Sequence, residues 1–218
     1  MDPIITIVYP IIRTDFIDKS IETLVKYTDP KKFRIIIIDQ SIGGWNSQWS
    51  EWVFNYGMII NMRNKGFATA ANTGIRVGLA WGTPYIAVVN DDTEFIYKGW
   101  LEDALSEFAT DPKIVVVNPE CPKVAMWGYG LVNGEYVSLI DYKEQFTPED
   151  IVYLKSGDYN EEEIKSRHNF EIPKSFPFTK RGVVDGIAGW LPIFKREGLI
   201  EKGLYDERFV WGGGEDYD

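Results

Sequence analysis

Short runs of consecutive apolar residues recur through the first 120 positions, and segments with helical periodicity separate them. An uninterrupted apolar run of four to six residues is typical of a parallel strand buried on both faces. Apolar residues spaced three and four apart are typical of a helix with one buried face. The predicted strands are 4–9, 34–39, 58–61, 85–89 and 114–117, and the predicted helices are 15–27, 46–55, 68–80 and 100–109, with Asp15 as the N-cap of the first.

This alternation predicts an α/β fold, with a mostly parallel sheet, helices on both faces and right-handed crossovers. Such sheets bind ligands outside the carboxyl ends of their strands. The polar residues at those ends are Asp39, Asn64 and the triplet Asn90-Asp91-Asp92. We therefore expect a ligand site at this edge of the sheet.

The pattern changes after residue 120. Residues 121–180 are irregular and include an acidic helical stretch at 160–165 and the only histidine, His168; an apolar run follows at 183–195. We found no internal repeat or low-complexity segment. We expect a single domain over 1–218, in which 1–120 binds a nucleotide and 121–218 forms a variable half on the same sheet.

Charge and composition exclude several classes of function. The 218 residues carry a net charge of −10, which opposes general binding to nucleic acid or anionic lipid. An anionic ligand would therefore need a metal ion or local amide donors. The single cysteine, Cys121, cannot form an internal disulfide. No apolar run reaches the roughly 20 residues that span a bilayer, and the first residues read as a strand, so we expect neither a transmembrane segment nor a signal peptide. We expect a protein that is cytoplasmic or peripheral to a membrane.

The triplet Asn90-Asp91-Asp92 is the first candidate site. Adjacent carboxylates repel each other, and a divalent cation relieves that repulsion. One or two carboxylates together with phosphate oxygens are the usual ligands of protein-bound Mg²⁺, and carboxylates also suit Mn²⁺. The alternative is a solvated turn with an Asx cap. The position of the triplet, directly after a buried strand, favours the metal site.

Two further features lie on the same edge. Asn64 and Gly66 precede a helix of small residues that carries Asn72, and a helix N-terminus of this kind favours anions. Close packing on the sheet would explain the alanines equally well, but not Asn72. Asp39 ends a strand, where it either accepts a hydrogen bond from a base or ribose or simply forms a turn.

The segment 211–218, Trp-Gly-Gly-Gly-Glu-Asp-Tyr-Asp, brings two carboxylates together. Three consecutive glycines disfavour a helix or strand. They suit a loop whose backbone needs conformational freedom or comes close to a ligand or another part of the chain. Glu215 and Asp216 could act as a general base and its orienting partner. The alternative is a frayed terminus, and the presence of Trp211 beside the glycines argues against it.

In this order the motifs resemble the nucleotide-sugar-dependent glycosyltransferases of the GT-A (Rossmann-like) fold, in particular family 2. The stretch from Asn64 to Ile75, followed by Val-Asn-Asp-Asp-Thr, is similar to rhamnosyl- and galactofuranosyl-type members. The Trp-Gly-Gly-Gly-Glu-Asp ending resembles the acceptor-side motif of galactosyl- and N-acetylgalactosaminyltransferases. The resemblance covers most of the chain outside about 125–180.

The resemblance implies a role for each matching residue. It implies a nucleoside diphosphate sugar donor, with UDP favoured, and Mn²⁺ or Mg²⁺ as cofactor. The acceptor would be a carbohydrate or a lipid-linked or protein hydroxyl. By this resemblance, Pro10 and Asp39 line the base pocket, and Asn64, Gly66 and Asn72 lie along the nucleotide or support its loop. Asp91 approaches the ribose or donor sugar, and Asp92 binds the metal. Asp216 beside Glu215 is the catalytic base, and the acceptor is bound by Gly189, Trp190 and Trp211.

Two departures and two rival functions accompany this interpretation. The metal motif begins with Asn90 rather than Asp, and the chain is expected to lack the C-terminal extension usual in the family. A non-catalytic or incomplete module that binds nucleotide-sugar or carbohydrate would share these motifs. A sugar nucleotidyltransferase is disfavoured, because no glycine-rich phosphate loop follows the first strand. The motifs leave open the donor sugar, the acceptor and the oligomeric state, and they favour inversion over retention.

Overall fold

A six-stranded sheet with helices against both faces organises the larger part of the computed structural model. The structure describes residues 2–119, 129–132, 135–138, 170–171 and 190–208. The chain divides into two compact units, one formed by Met1–Pro119 and Val184–Asp218 and the other by Glu120–Val183. The strands are β1 (Ile5–Ile11), β2 (Phe33–Asp39), β3 (Gly57–Asn61), β4 (Tyr85–Val88), β5 (Val116–Val117), β6 (Tyr129–Val132), β7 (Glu135–Ser138), β8 (Phe170–Glu171) and β9 (Ile193–Lys195), and the α-helices are α1 (Ile17–Tyr27), α2 (Gln48–Tyr56), α3 (Phe67–Trp81), α4 (Trp100–Glu107) and α5 (Arg196–Lys202).

The sheet of the first unit has the strand order β3-β2-β1-β4-β9-β5. Strands β1 to β4 pair in parallel, whereas β9 is antiparallel to both β4 and β5. The sheet is therefore mostly parallel, as the alternating pattern predicted. The late apolar run contributes β9, which lies between β4 and the edge strand β5.

Alternate residues of the central strands face two different cores. One face of β1 carries Ile5, Ile7, Tyr9 and Ile11, which pack with α1 and α4. The opposite face packs against α3, and its core includes Val8 together with buried residues of β2 and β4. Both faces are buried because helices cover each of them, which explains the uninterrupted apolar runs.

Helix α3 lies close to β1 because its inner face consists of small residues. A Cβ added at Gly74 would lie 2.2 Å from Val8 Cγ1, and one added at Gly78 would lie 3.1 Å from Ile86 Cδ1 and from Thr6 Cγ2. Ala70 and Ala71 are fully buried on the same helix. The small residues of this helix therefore serve packing.

The described strands of the second unit form a separate antiparallel sheet in the order β7-β6-β8. The predicted helical stretch at 160–165 and His168 lie outside the described residues. The predicted division of one domain into a nucleotide-binding half and a variable half stays a prediction.

Local details differ from the sequence patterns in two places. The N-cap position of α1 is Phe16, which makes no side-chain cap, so the prediction of Asp15 as N-cap is wrong. The apolar run predicted as a strand at 114–117 forms a strand only at Val116–Val117. Within the described ranges, no helix combines the length and the apolar character needed to cross a membrane.

Candidate functional site

The carboxyl ends of β1, β2, β3 and β4 meet at one edge of the sheet. In the strand register Ile11 lies opposite Asp39, and Asp39 lies opposite Asn61. Val8 lies opposite Val88, so the triplet that follows β4 is at the same edge. The sheet therefore brings together the loops in which the sequence placed Pro10, Asp39, Asn64 and Asp91-Asp92.

Asp39 is almost fully buried, with 2% of its surface exposed, and its carboxylate organises the loop that follows β2. One oxygen accepts hydrogen bonds from the Ser41 backbone nitrogen at 2.8 Å and from the Ser41 hydroxyl at 2.6 Å. The other accepts from the Trp45 backbone nitrogen at 2.5 Å. A carboxylate has about four acceptor positions. The loop uses three of them, which leaves one for a ligand.

The same loop turns tightly on two glycines. Gly43 and Gly44 have φ of 97° and 77°, a conformation that other residues rarely adopt. This turn returns the chain to Asp39 and buries Trp45, whose indole nitrogen donates to Asp18 on α1 at 2.8 Å. Hydrogen bonds therefore hold this loop in a defined conformation and join the end of β2 to α1.

The loop before α3 is tied to the β2 end by Gln40. The Gln40 side-chain oxygen accepts from the Lys65 backbone nitrogen at 2.9 Å, and its backbone nitrogen donates to the carbonyl of Ile11 at 2.9 Å. Asn64 is exposed, and its side-chain oxygen accepts from the Gly66 nitrogen at 2.9 Å. Gly66 precedes α3 with φ of 88°. Asn64 thus forms the turn that starts the helix.

The triplet at the end of β4 is held against the segment that carries Trp190. The carbonyl oxygen of Trp190 accepts from the Asn90 backbone nitrogen at 3.1 Å and from the Thr93 hydroxyl at 3.3 Å. Thr93 also donates its backbone nitrogen to the Asn90 carbonyl at 3.1 Å. The predicted metal motif and a predicted acceptor-binding residue are therefore direct neighbours.

The carboxylates of the triplet lie in an acidic environment. Burial raises the pKa of the Asp91 carboxyl above its ordinary value, the charge of Asp92 raises it further, and Arg13 acts in the opposite direction. Asp92 is exposed. Repulsion of this kind is what a bound divalent cation relieves. The two adjacent carboxylates fit a divalent cation that also takes oxygen ligands from a bound donor. The described part of the chain contains no cluster of three or more His, Cys, Asp or Glu side chains that could hold a metal ion.

Asn72 is buried on α3, and its side chain makes hydrogen bonds to the chain that follows α5. It is 1% exposed, and its amide nitrogen donates to the Tyr205 carbonyl at 2.8 Å and to a Glu207 carboxylate oxygen at 3.0 Å. Its side-chain oxygen accepts from the Tyr205 backbone nitrogen at 3.0 Å. All three hydrogen bonds connect Asn72 to the chain that follows α5.

The structure describes most, but not all, of the predicted site. Pro10 is half-buried in β1 opposite Ile38, and Trp190 packs at the edge of the core. The sequence analysis did not select Gln40, Trp45 or Thr93 as site residues. Of these, only Thr93 could have been found from its position, because it directly follows the acidic triplet. Four predicted residues lie outside the described residues: Gly189, Trp211, Glu215 and Asp216.

Comparison with known families agrees with this geometry. The family model of glycosyl transferase family 2 matches residues 4–152, which include β1 to β4 and the loops that follow these four strands. The chain belongs to glycosyl transferase family 2. The family predicted from the motifs is thereby confirmed. No curated protein matches this family 2 chain in sequence.

Solved structures are similar to the family 2 chain in fold. The mannosyltransferase PcManGT from Pyrobaculum calidifontis, in complex with GDP-Man and Mn²⁺, matches with a TM-score of 0.58 at 14% identity, over 100% of this chain and 50% of that one. GalNAc-T7 with UDP, GalNAc and Mn²⁺ matches with a TM-score of 0.59 at 15% identity, over 98% of this chain and 39% of that one. TarS 1–349 of S. aureus matches with a TM-score of 0.54 at 13% identity, over 100% of this chain and 53% of that one. The predicted GT-A fold is confirmed, and the chain spans about half the length of these proteins or less.

Proposed function

We propose that this chain transfers a sugar from a nucleoside diphosphate donor to an acceptor hydroxyl. The observation that carries the proposal is the meeting of Asp39, the Asn64–Gly66 turn and Asp91-Asp92 at one edge of the sheet in a family 2 chain. A nucleotide placed along this edge would extend from the β2 end towards the β4 end. Such an extended site suits a ligand with a base at one end and a diphosphate at the other.

Asp39 and Pro10 would receive the base or ribose. The one acceptor position that the loop leaves on the Asp39 carboxylate can take a single N–H or O–H donor. Uracil and guanine each carry a ring N–H, so this contact alone does not choose between them. The similar solved structures hold a guanosine nucleotide in one case and a uridine nucleotide in another. UDP stays our preferred donor nucleotide.

Asp92 would hold a divalent cation, Mn²⁺ or Mg²⁺, with diphosphate oxygens completing the ligand set. The cation supplies positive charge and Lewis acidity against the developing diphosphate. In this role Asp91 faces the ribose or donor sugar from a half-buried position. Two of the similar solved structures contain Mn²⁺, which supports the metal proposal for this chain.

Asp216, oriented by Glu215, would act as the catalytic base. It would take the proton of the acceptor hydroxyl while the acceptor oxygen forms a bond to the anomeric carbon. The bond from that carbon to the diphosphate breaks, and its electron pair leaves with the nucleoside diphosphate. A single base on the face opposite the leaving group implies inversion. Gly189, Trp190 and Trp211 would contact the acceptor, and Trp190 is already beside the Asp91-Asp92 motif.

The experiment that tests the proposed function compares the wild type with Asp216→Asn. Sugar transfer from UDP-, GDP- and TDP-sugars to an acceptor panel is measured together with binding of the donor nucleotide. We expect Asp216→Asn to bind the nucleotide normally and to lose transfer by roughly 10²- to 10⁴-fold, the usual effect of a general base. Asp111→Asn, which removes an exposed carboxylate from the loop after α4, is the control.

Equal transfer by Asp216→Asn and the wild type would show that Asp216 is not the base. Nucleotide binding without transfer by the wild type would favour the alternative of a non-catalytic module.

A further inference from the structure

A cluster of side chains around the buried Asn72 joins α3 to the chain that follows α5. We call it the Asn72 cluster, and it consists of Asn72, Arg76, Tyr205 and Glu207. Asn72 binds both backbone groups of Tyr205, and Asn72 and Arg76 donate to the same Glu207 oxygen at 3.0 Å and 2.8 Å. Asn72 and Arg76 are four residues apart and so lie on one face of the helix.

The cluster is not needed for the helix itself. A buried polar side chain is costly unless its hydrogen bonds are made, and an alanine would pack at this position as Ala70 and Ala71 do beside it. Every hydrogen bond of the Asn72 side chain goes to residues more than 130 positions away in the sequence. Asn72 therefore serves to fix the later segment.

The aromatic ring of Tyr205 fixes the same segment from a second direction. It packs edge-to-face against Phe67 in the first turn of α3, with ring centroids 5.8 Å apart. It also packs edge-to-face against Phe194 of β9, at 6.2 Å. The chain at Tyr205 is thus attached both to the helix that follows the Asn64–Gly66 turn and to the sheet.

The charge on Glu207 strengthens the attachment. Its hydrogen bonds to Asn72 and then to Arg76 lower the pKa of the Glu207 carboxyl below its ordinary value, so it is ionised at neutral pH. Trp211 and Asp216 follow Glu207 by four and nine residues. Glu207 is therefore fixed to α3 a short distance before the motif that carries the predicted base.

We propose that Asn72, with Arg76 and Glu207, positions the Trp211–Asp216 motif relative to the donor side of the site. This inference rests on the proposed function, in which Asp216 is the base. Asn72 is then a positioning residue for the acceptor half of the reaction, and not a nucleotide contact. Positioning a catalytic group before reaction lowers the barrier because its freedom is already restricted.

The test uses Asn72→Asp, Glu207→Gln and the double variant. Asn72→Asp keeps the acceptor for the Tyr205 nitrogen, loses both donors and places a second carboxylate against Glu207. In the double variant the amide introduced at position 207 can donate to the carboxylate introduced at position 72, so the repulsion is removed. Thr73→Val is the control, because the Thr73 hydroxyl bonds only within the helix, to Thr69 at 2.7 Å.

Transfer kinetics give the functional result. We expect Asn72→Asp to lower kcat/KM for the acceptor by about 10- to 100-fold, with the Kd of the nucleoside diphosphate in Mn²⁺ within about twofold of wild type. The double variant should recover most of the loss, and Thr73→Val should match the wild type. A wild-type acceptor kcat/KM in Asn72→Asp, or a loss explained by nucleotide binding alone, would overturn the inference.

Hydrogen–deuterium exchange separates this inference from the proposed function. We expect faster exchange at 203–218 in Asn72→Asp and in Glu207→Gln, and unchanged exchange at 57–66. Glu207 is partly exposed, so Glu207→Gln gives a folded variant even where Asn72→Asp is unstable. A wild type without transfer but with this exchange pattern would contradict the proposed function and leave the attachment supported. Unchanged exchange at 203–218 in both variants would overturn the attachment.

Discussion

Asp39 shows how one side chain can be both part of the fold and part of a site. Its carboxylate accepts three hydrogen bonds from the loop that it closes, two from Ser41 and one from Trp45. The sequence offered two interpretations, a ligand contact and a turn residue. The structure shows the turn role directly and leaves one acceptor position for the ligand role. The two interpretations are compatible because a carboxylate has more acceptor positions than the turn uses.

We predict that Asp39→Asn destabilises the fold by about 1–3 kcal/mol, because one of its two bonded oxygens becomes an NH₂ group facing a backbone donor. Ser41→Ala removes only the hydroxyl bond and should cost about 0.5–1.5 kcal/mol. Urea unfolding of both variants measures the difference. A midpoint for Asp39→Asn at or above that of Ser41→Ala would mean that the carboxylate does not hold the loop.

Residues whose partners are distant in sequence could not be assigned from sequence. The family resemblance implied that Asn72 lies along the nucleotide or supports its loop, and this stays a prediction. Its actual partners, Tyr205 and Glu207, are more than 130 residues away, and no local periodicity encodes such a pairing. By contrast, the acidic pair 91–92 lies at the sheet edge where the sequence placed it, since its position depends only on the strand before it.

The packing of α3 against the sheet depends on small side chains. Its glycines and alanines allow the helix axis to approach β1, and this places the Asn64–Gly66 turn beside the β2 end. The small residues of α3 therefore determine both how closely the helix packs on the sheet and where the Asn64–Gly66 turn lies. Small residues in this motif were predicted to serve either packing or a ligand, and the contacts of Gly74 show the packing role.

Gly74→Ala should destabilise the protein, whereas Gly78→Ala should have little effect. The new methyl group would lie 2.2 Å from Val8 Cγ1 in the first case, and overpacking of a core typically costs about 1–3 kcal/mol. At Gly78 the nearest atoms, at 3.1 Å, are the ends of side chains, and the helix propensity of alanine gains up to about 1 kcal/mol. Urea denaturation of the pair tests this, and equal midpoints would refute the close contact with β1.

The strands also show where a sequence pattern stops being informative. The runs that became β1, β2 and β4 are buried on both faces, so their pattern was clear. β9 has three residues and β5 has two, and their antiparallel pairing is set by tertiary contacts rather than by local preference. The sequence predicted that the late apolar run returns to the sheet, but neither its direction nor its position between β4 and β5.

The whole molecule combines a net charge of −10 with a proposed dianionic ligand. Unassisted binding of a diphosphate would be opposed by that charge, so the proposal requires a cation at the Asp91-Asp92 motif. Burial and then the charge of Asp92 raise the pKa of the Asp91 carboxyl, and a bound cation would favour its ionised form. Family membership establishes the fold around this motif, and the cation and the donor follow from the proposal.

The most direct test is thermal unfolding of the wild type and Asp92→Asn with UDP, GDP or TDP, each with and without Mn²⁺. A nucleotide present at 100 times its Kd stabilises the folded state by about 2.7 kcal/mol. We predict a Mn²⁺-dependent rise in Tm with one nucleotide, UDP by preference, which Asp92→Asn abolishes and the control Asp111→Asn retains. A rise of equal size in Asp92→Asn, or no rise with any of the three nucleotides, would contradict a metal-dependent donor site at this edge of the sheet.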